Sequence, residues 1–130
     1  MESGSYTGVD AAIGAATPAI ERICSEVWDL AEISLEETQS AEVHIRELEQ
    51  AGFTITSGGT SGQATAFIAE WEQGSGGARI GFLPEYDALP GLGNAAVATQ
   101  QPAENGKTSG HGCGHNLLGA GCTGAAIALK

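Results

Sequence analysis

Gly110-His111-Gly112-Cys113-Gly114-His115-Asn116, followed by the apolar run from Leu117 to Leu129, is the stretch on which the fold turns. It gathers two of the three histidines and one of the three cysteines into five residues. The intervening glycines let the backbone aim each side chain at a common point. Thiolate and imidazole are preferred donors for zinc and related divalent metals. On residue types alone, the competing reading is a Gly-rich loop holding a buried thiol and two capping histidines. A helix is expected from about Asn116, with Leu117, Leu118, Ala120, Ala125, Ala126, Ile127 and Leu129 on nearly all its sides. A helix apolar all round is a buried one. This one reaches Lys130 with no cap and few residues to cover it, so the expectation is a truncated layer, buried by further chain.

Upstream, Leu83-Pro84-Glu85-Tyr86-Asp87-Ala88-Leu89-Pro90-Gly91 marks the end of an expected strand. In open α/β sheets, functional groups lie at the carboxyl ends of strands. A carboxylate there can hold a metal or orient a ligating histidine. Asp87 is the candidate, with Glu85 two residues earlier on the same strand face; two solvated acids at a strand end is the plain alternative. Between Pro90 and Gly110 the chain is Gly, Ala, Asn, Gln and Pro without periodicity, a long connection of the kind that is usually functional or disordered.

Three strands are expected ahead of this segment: Phe53 to Ser57, Ala64 to Trp71 and Ala78 to Leu83, separated by Gly- and Ser-rich turns. The last is nearly all apolar and suits a central buried strand. The short turns favour antiparallel pairing of the early strands. Before them, Thr38 to Gln50 reads as a helix with Ala41, Ile45 and Leu48 inward and Gly52 as its stop. Thr17-Pro18 reads as the start of a first helix, Thr as N-cap and Pro in the first turn. Ile20, Ile23, Cys24, Val27 and Ala31 form its apolar stripe. Residues 1–16 are expected to be a flexible N-terminus. Cys24 and Cys122 are read as packing residues, and His44 as a surface or packing histidine. Two helices, three strands, a loop and a buried helix give an α/β fold with helices packed on a sheet.

The 130 residues carry 5 basic and 16 acidic side chains, a net charge of −11. Such a surface repels nucleic acid and anionic membranes, so neither is an expected partner. Most of the acids between Glu21 and Glu49 are expected on solvated helix faces. Three widely spaced cysteines are no disulfide framework and favour a reducing, cytoplasmic setting. No Cys-x-x-Cys suggests redox work. The first ten residues lack the pattern of a signal peptide, and the longest apolar run is too short to span a bilayer.

The ordered pair "PEYDALPGL" and "GHGCGHNLLG", with "WDLAEISLEETQSAEVHIRELEQAGF" ahead of them, resembles the M20 metallopeptidase and amidohydrolase family. Within it, the chain looks most like the branch of aminobenzoyl-glutamate utilisation and dipeptidase proteins. The resemblance covers residues 17–130, as the N-terminal part of a catalytic domain without its lid. It implies a partial zinc-peptidase-like mixed sheet and a metal-dependent amidohydrolase with two ions, zinc or manganese. Its substrate would be aminobenzoyl-glutamate, a dipeptide or an N-acyl amino acid, and the intact parent a homodimer. Cys113 and His115 would supply metal ligands and Asp87 would orient the site, with His111 a weaker candidate. The family's general base, a glutamate in a Glu-Glu pair, and its further ligands would lie downstream of Lys130. The resemblance therefore implies a chain that binds metal weakly alone and does not hydrolyse amides. The other reading is a non-catalytic ligand- or partner-binding fragment.

Overall fold

The computed structural model describes residues 7–130. Three helices and a small antiparallel sheet make up a mixed α/β unit, in the order α1 (Thr7–Leu30), α2 (Thr38–Gln50), β1 (Thr54–Gly58), β2 (Phe67–Glu70) and α3 (His115–Leu129). Helix α1 packs against both α2 and α3. The core lies where they meet, at Ile23, Val27, Val43 and Ala120, with Ile20, Cys24, Leu30 and Tyr86 packed around it. Cys24 thus sits on the core stripe, as its spacing requires.

Helix α1 begins ten positions before Thr17, so Thr17-Pro18 is interior rather than a start. Ala11, Ala12, Ala15 and Ala16 are strong helix formers, and Ala16 is buried. Pro18 removes one N–H, but it does so on an exposed turn where water can serve the freed carbonyl. The Thr17 hydroxyl donates to the Ile13 carbonyl at 3.0 Å instead of capping. Thr-Pro is equally compatible with a first turn and a solvated interior turn, and the alanines ahead of it decide. Of the N-terminal segment read as flexible, residues 1–6 lie outside the described residues, and the rest is helical.

Helix α2 and its stop follow the sequence closely. Gly52 adopts φ +85°. The Gly52 N–H bonds the Glu49 carbonyl and the Phe53 N–H the Leu48 carbonyl, at 2.8 and 2.9 Å, which closes the helix in a Schellman turn. The inward face is Ser40, Ala41, Val43, His44, Glu47 and Leu48; Ile45 is only half-buried.

The acids of this region are not simply solvated. Glu47 is buried and receives Arg22 at 2.7 Å and Arg46 at 3.1 Å, while Arg46 also reaches Glu26 at 2.8 Å, stitching α1 to α2. The Arg22 hydrogen bonds hold the Glu47 carboxyl below the usual carboxylate range, against the opposing effect of burial. Glu32 accepts the Ser40 N–H and hydroxyl at 2.7 and 2.8 Å, serving the open N-terminus of α2.

The first two strands pair antiparallel, with Thr54 opposite Glu70 and a bulge between Ile55 and Ser57. The third expected strand is not formed. Residues 78–83 are exposed and irregular, with Ile80 at 62% and Leu83 at 86% exposure. Strand propensity needs a neighbour to be realised, and none flanks this run among the described residues. Helix α3 starts at His115, one residue before the sequence suggests. It is not buried all round: Asn116, Gly119, Ala120, Thr123 and Gly124 face inward, while Leu117, Leu118 and Leu129 are exposed. Its small face permits close approach to α1; a Cβ on Gly124 would overlap the Ile20 side chain. No helix among the described residues is long and apolar enough to cross a membrane.

His44 is fully buried at the junction of α2, α3 and the Tyr86 segment. Its Nδ1 lies 2.9 Å from the Thr123 hydroxyl, and its ring is 5.0 Å from that of Tyr86. Burial pushes its pKa down from 6.5 to about 4. The folded state then binds fewer protons than the unfolded chain between those values, so this histidine's contribution to stability is present above pH 6.5 and is lost as the pH falls towards 4. Its slope is at most about 1.4 kcal/mol per pH unit. Urea melts of wild type and His44→Gln across this window should show a shallower acid loss in the variant; identical pH slopes would contradict the assignment.

Candidate metal centre

The site is assembled where an extended segment, a helix end and a loop converge. In the segment Glu85-Tyr86-Asp87, alternation sends Tyr86 to one side and the two carboxylates to the other. Tyr86 is anchored inside: its hydroxyl donates to the Thr65 carbonyl at 2.5 Å, and its ring also lies 6.3 Å from Phe67. Burial, then the nearby Glu37 carboxylate, push its pKa up to about 12. The segment is pinned to the rest by single ladder contacts, Ile33 with Ala88 and Leu89 with Gly110. It can lie against α3 because position 119 is glycine; a Cβ there would be 2.7 Å from the Glu85 carbonyl oxygen.

His115 is the first residue of α3, after Gly114 at φ +80°. Its Nδ1 lies 2.7 Å from Asp87 Oδ1 and its Nε2 lies 3.2 Å from Glu85 Oε2. Ligand-type atoms of Glu85, Asp87 and His115 all fall within 4.8 Å of one another, the one such group of three among the described residues. An Nδ1–H donated to Asp87 fixes the tautomer that leaves an Nε2 lone pair for a cation. This donor set suits zinc or manganese. The exposed Cys113 stands outside the cluster, on the turn before α3. The structure therefore joins Asp87 to His115 and adds Glu85, which the sequence marks only as the neighbouring acid.

His111 has a different place. It is buried, with Nε2 2.9 Å from the Val27 carbonyl. Its pKa is lowered, first by desolvation, in part offset by that hydrogen bond. It belongs to a series of clamps on the end of α1: Asn105, Lys107 and Ser109 donate to the carbonyls of Asp29, Leu30 and Ala31. The orphan carbonyls of a helix C-terminus are thus taken by alternate residues of the loop, which delivers the 110–115 turn to the site. Period-two polar residues running into the motif are the signal that could have revealed this. His44 carried no such signal, because its partner Thr123 is 79 residues away.

A histidine held by one carboxylate and close to a second has the donor types of a candidate metal site. Over 125 residues, 96% of its length, the chain is 42% identical to one of the subunits of the p-aminobenzoyl-glutamate hydrolase of Escherichia coli (strain K12). Over 79% of its length it is 34% identical to human Xaa-Arg dipeptidase. Both are M20 peptidases, and the chain belongs to that family. It spans 25% and 22% of the lengths of these two relatives. No family model matches the chain, and no solved structure matches it.

Proposed function

We propose that this chain is the part of an M20 amidohydrolase that carries one half of its metal centre. The observation that carries the reading is the Asp87–His115–Glu85 cluster, set at the start of α3. His115 would hold zinc or manganese, with Cys113 as a second ligand and a second ion in the complete site. Asp87 holds the His115 ring in place and keeps its proton on Nδ1. Such an ion, when bound, acidifies water and polarises an amide carbonyl. A general base must also take a proton from that water, a role that in this reading falls to a glutamate outside the 130 residues. The names of the relatives point to p-aminobenzoyl-glutamate or a dipeptide as substrate, and the proposed setting is a cytoplasmic homodimer.

A second reading, a non-catalytic ligand- or partner-binding piece, is favoured by the small number of donors. Three protein ligands and an open position are the usual minimum for catalytic zinc. The 130-residue chain is expected to take up metal weakly and to leave p-aminobenzoyl-glutamate and Xaa-Arg dipeptides uncut. A product of the same reading frame extended through a Glu-Glu pair and a further histidine should cleave one of them. Chelator-sensitive turnover by the chain alone would contradict the half-site reading; a frame that stops after Lys130 would favour the non-catalytic one.

A further inference from the structure

We propose that Glu85 is itself a metal ligand, so that the cation sits between its carboxylate and Nε2 of His115, with Asp87 behind the ring. The proposal rests on the metal-site reading and deepens it. In the tautomer with its proton on Nδ1, 2.7 Å from Asp87 Oδ1, Nε2 of His115 is an acceptor, and Glu85 Oε2 lies 3.2 Å from it. Two acceptors so placed repel unless a proton or a cation lies between them. Metal bonds of about 2.1 Å to nitrogen and oxygen, at a tetrahedral angle, separate the two donors by about 3.4 Å. The observed spacing thus admits an ion with almost no movement of either side chain.

The backbone around Glu85 is held while its side chain is free to serve. Its carbonyl packs on Gly119 and the neighbouring Tyr86 is anchored to Thr65. The carboxylate side chain is 59% exposed, against 17% for His115, so the outer side of the pair is open for entry and for further ligands. Asp87 is committed to Nδ1, and Cys113 lies outside the cluster. Glu85 is therefore the acid placed to meet Nε2.

The alternative is a simple ion pair between Glu85 and protonated His115, and the two differ in sign. Zinc titration calorimetry on the intact chain and on Glu85→Gln separates them, with thermal melts to show that both are equally folded. If Glu85 is a ligand, Glu85→Gln binds zinc at least about 10-fold more weakly. If it only pairs with a proton on His115, removing it relieves a competitor and zinc binds equally well or more tightly. That second result overturns the proposal but leaves a metal on His115. Absence of any zinc binding by the wild-type chain overturns both.

Discussion

Replacement of His115 by alanine is expected to abolish detectable zinc and manganese binding by this chain, a loss of at least about 100-fold in affinity. His115 is the one residue in contact with both acids of the cluster, at 2.7 and 3.2 Å. Without the ring, Asp87 has nothing to orient and Glu85 stands alone on the surface. Calorimetric titration with each metal checks this. The fold should be little changed, because His115 is the first residue of α3 and stands outside the core at Ile23, Val27, Val43 and Ala120. His111→Ala should behave the opposite way, lowering stability through loss of the Val27 clamp. Unchanged metal affinity in His115→Ala would remove the basis of the site.

The second large effect is on stability. Gly110→Ala is expected to cost about 3 kcal/mol, from overpacking of about 1–3 kcal/mol and strained hydrogen bonds of about 1 kcal/mol each. An added Cβ would run into the Leu92 carbonyl oxygen and lie 2.8 Å from its carbon, and both are backbone atoms that cannot swing away. Gly110 also exchanges two 3.0 Å hydrogen bonds with Leu89. These bonds join the segment carrying Asp87 to the turn carrying His115. The urea midpoint should fall with the slope of the transition unchanged, and metal affinity should fall with it. A wild-type midpoint in Gly110→Ala would show that this contact does not set the geometry.

The outline of the site was legible because it rests on local signals. Gly114 and the ligand-type residues around it announce a turn into a helix, and the period of two in Glu85-Tyr86-Asp87 puts both acids on one face. Helix α2 and its Gly52 stop were legible for the same reason. What escaped the sequence depends on partners far along the chain. The run 78–83 has strand composition but no neighbouring strand among the described residues, so it stays irregular. Helix α3 is apolar all round, yet only its small residues find a surface to pack on. Glu47 reads as one more surface acid until Arg22, 25 positions earlier, is brought against it. His44 reads as a surface or packing histidine and His111 as a weaker ligand candidate, and only the packing of α1, α2 and α3 shows that one wedges the Tyr86 segment and the other clamps the end of α1.

A divalent cation is expected to bind this chain at His115. The chain has three histidines, so each ring can be followed separately by nitrogen NMR during a zinc titration. Zinc should move the Nε2 resonance of His115 while its Nδ1 stays protonated against Asp87, with His44 and His111 unaffected. A zinc-dependent shift at His44 or His111, with His115 silent, would contradict the account.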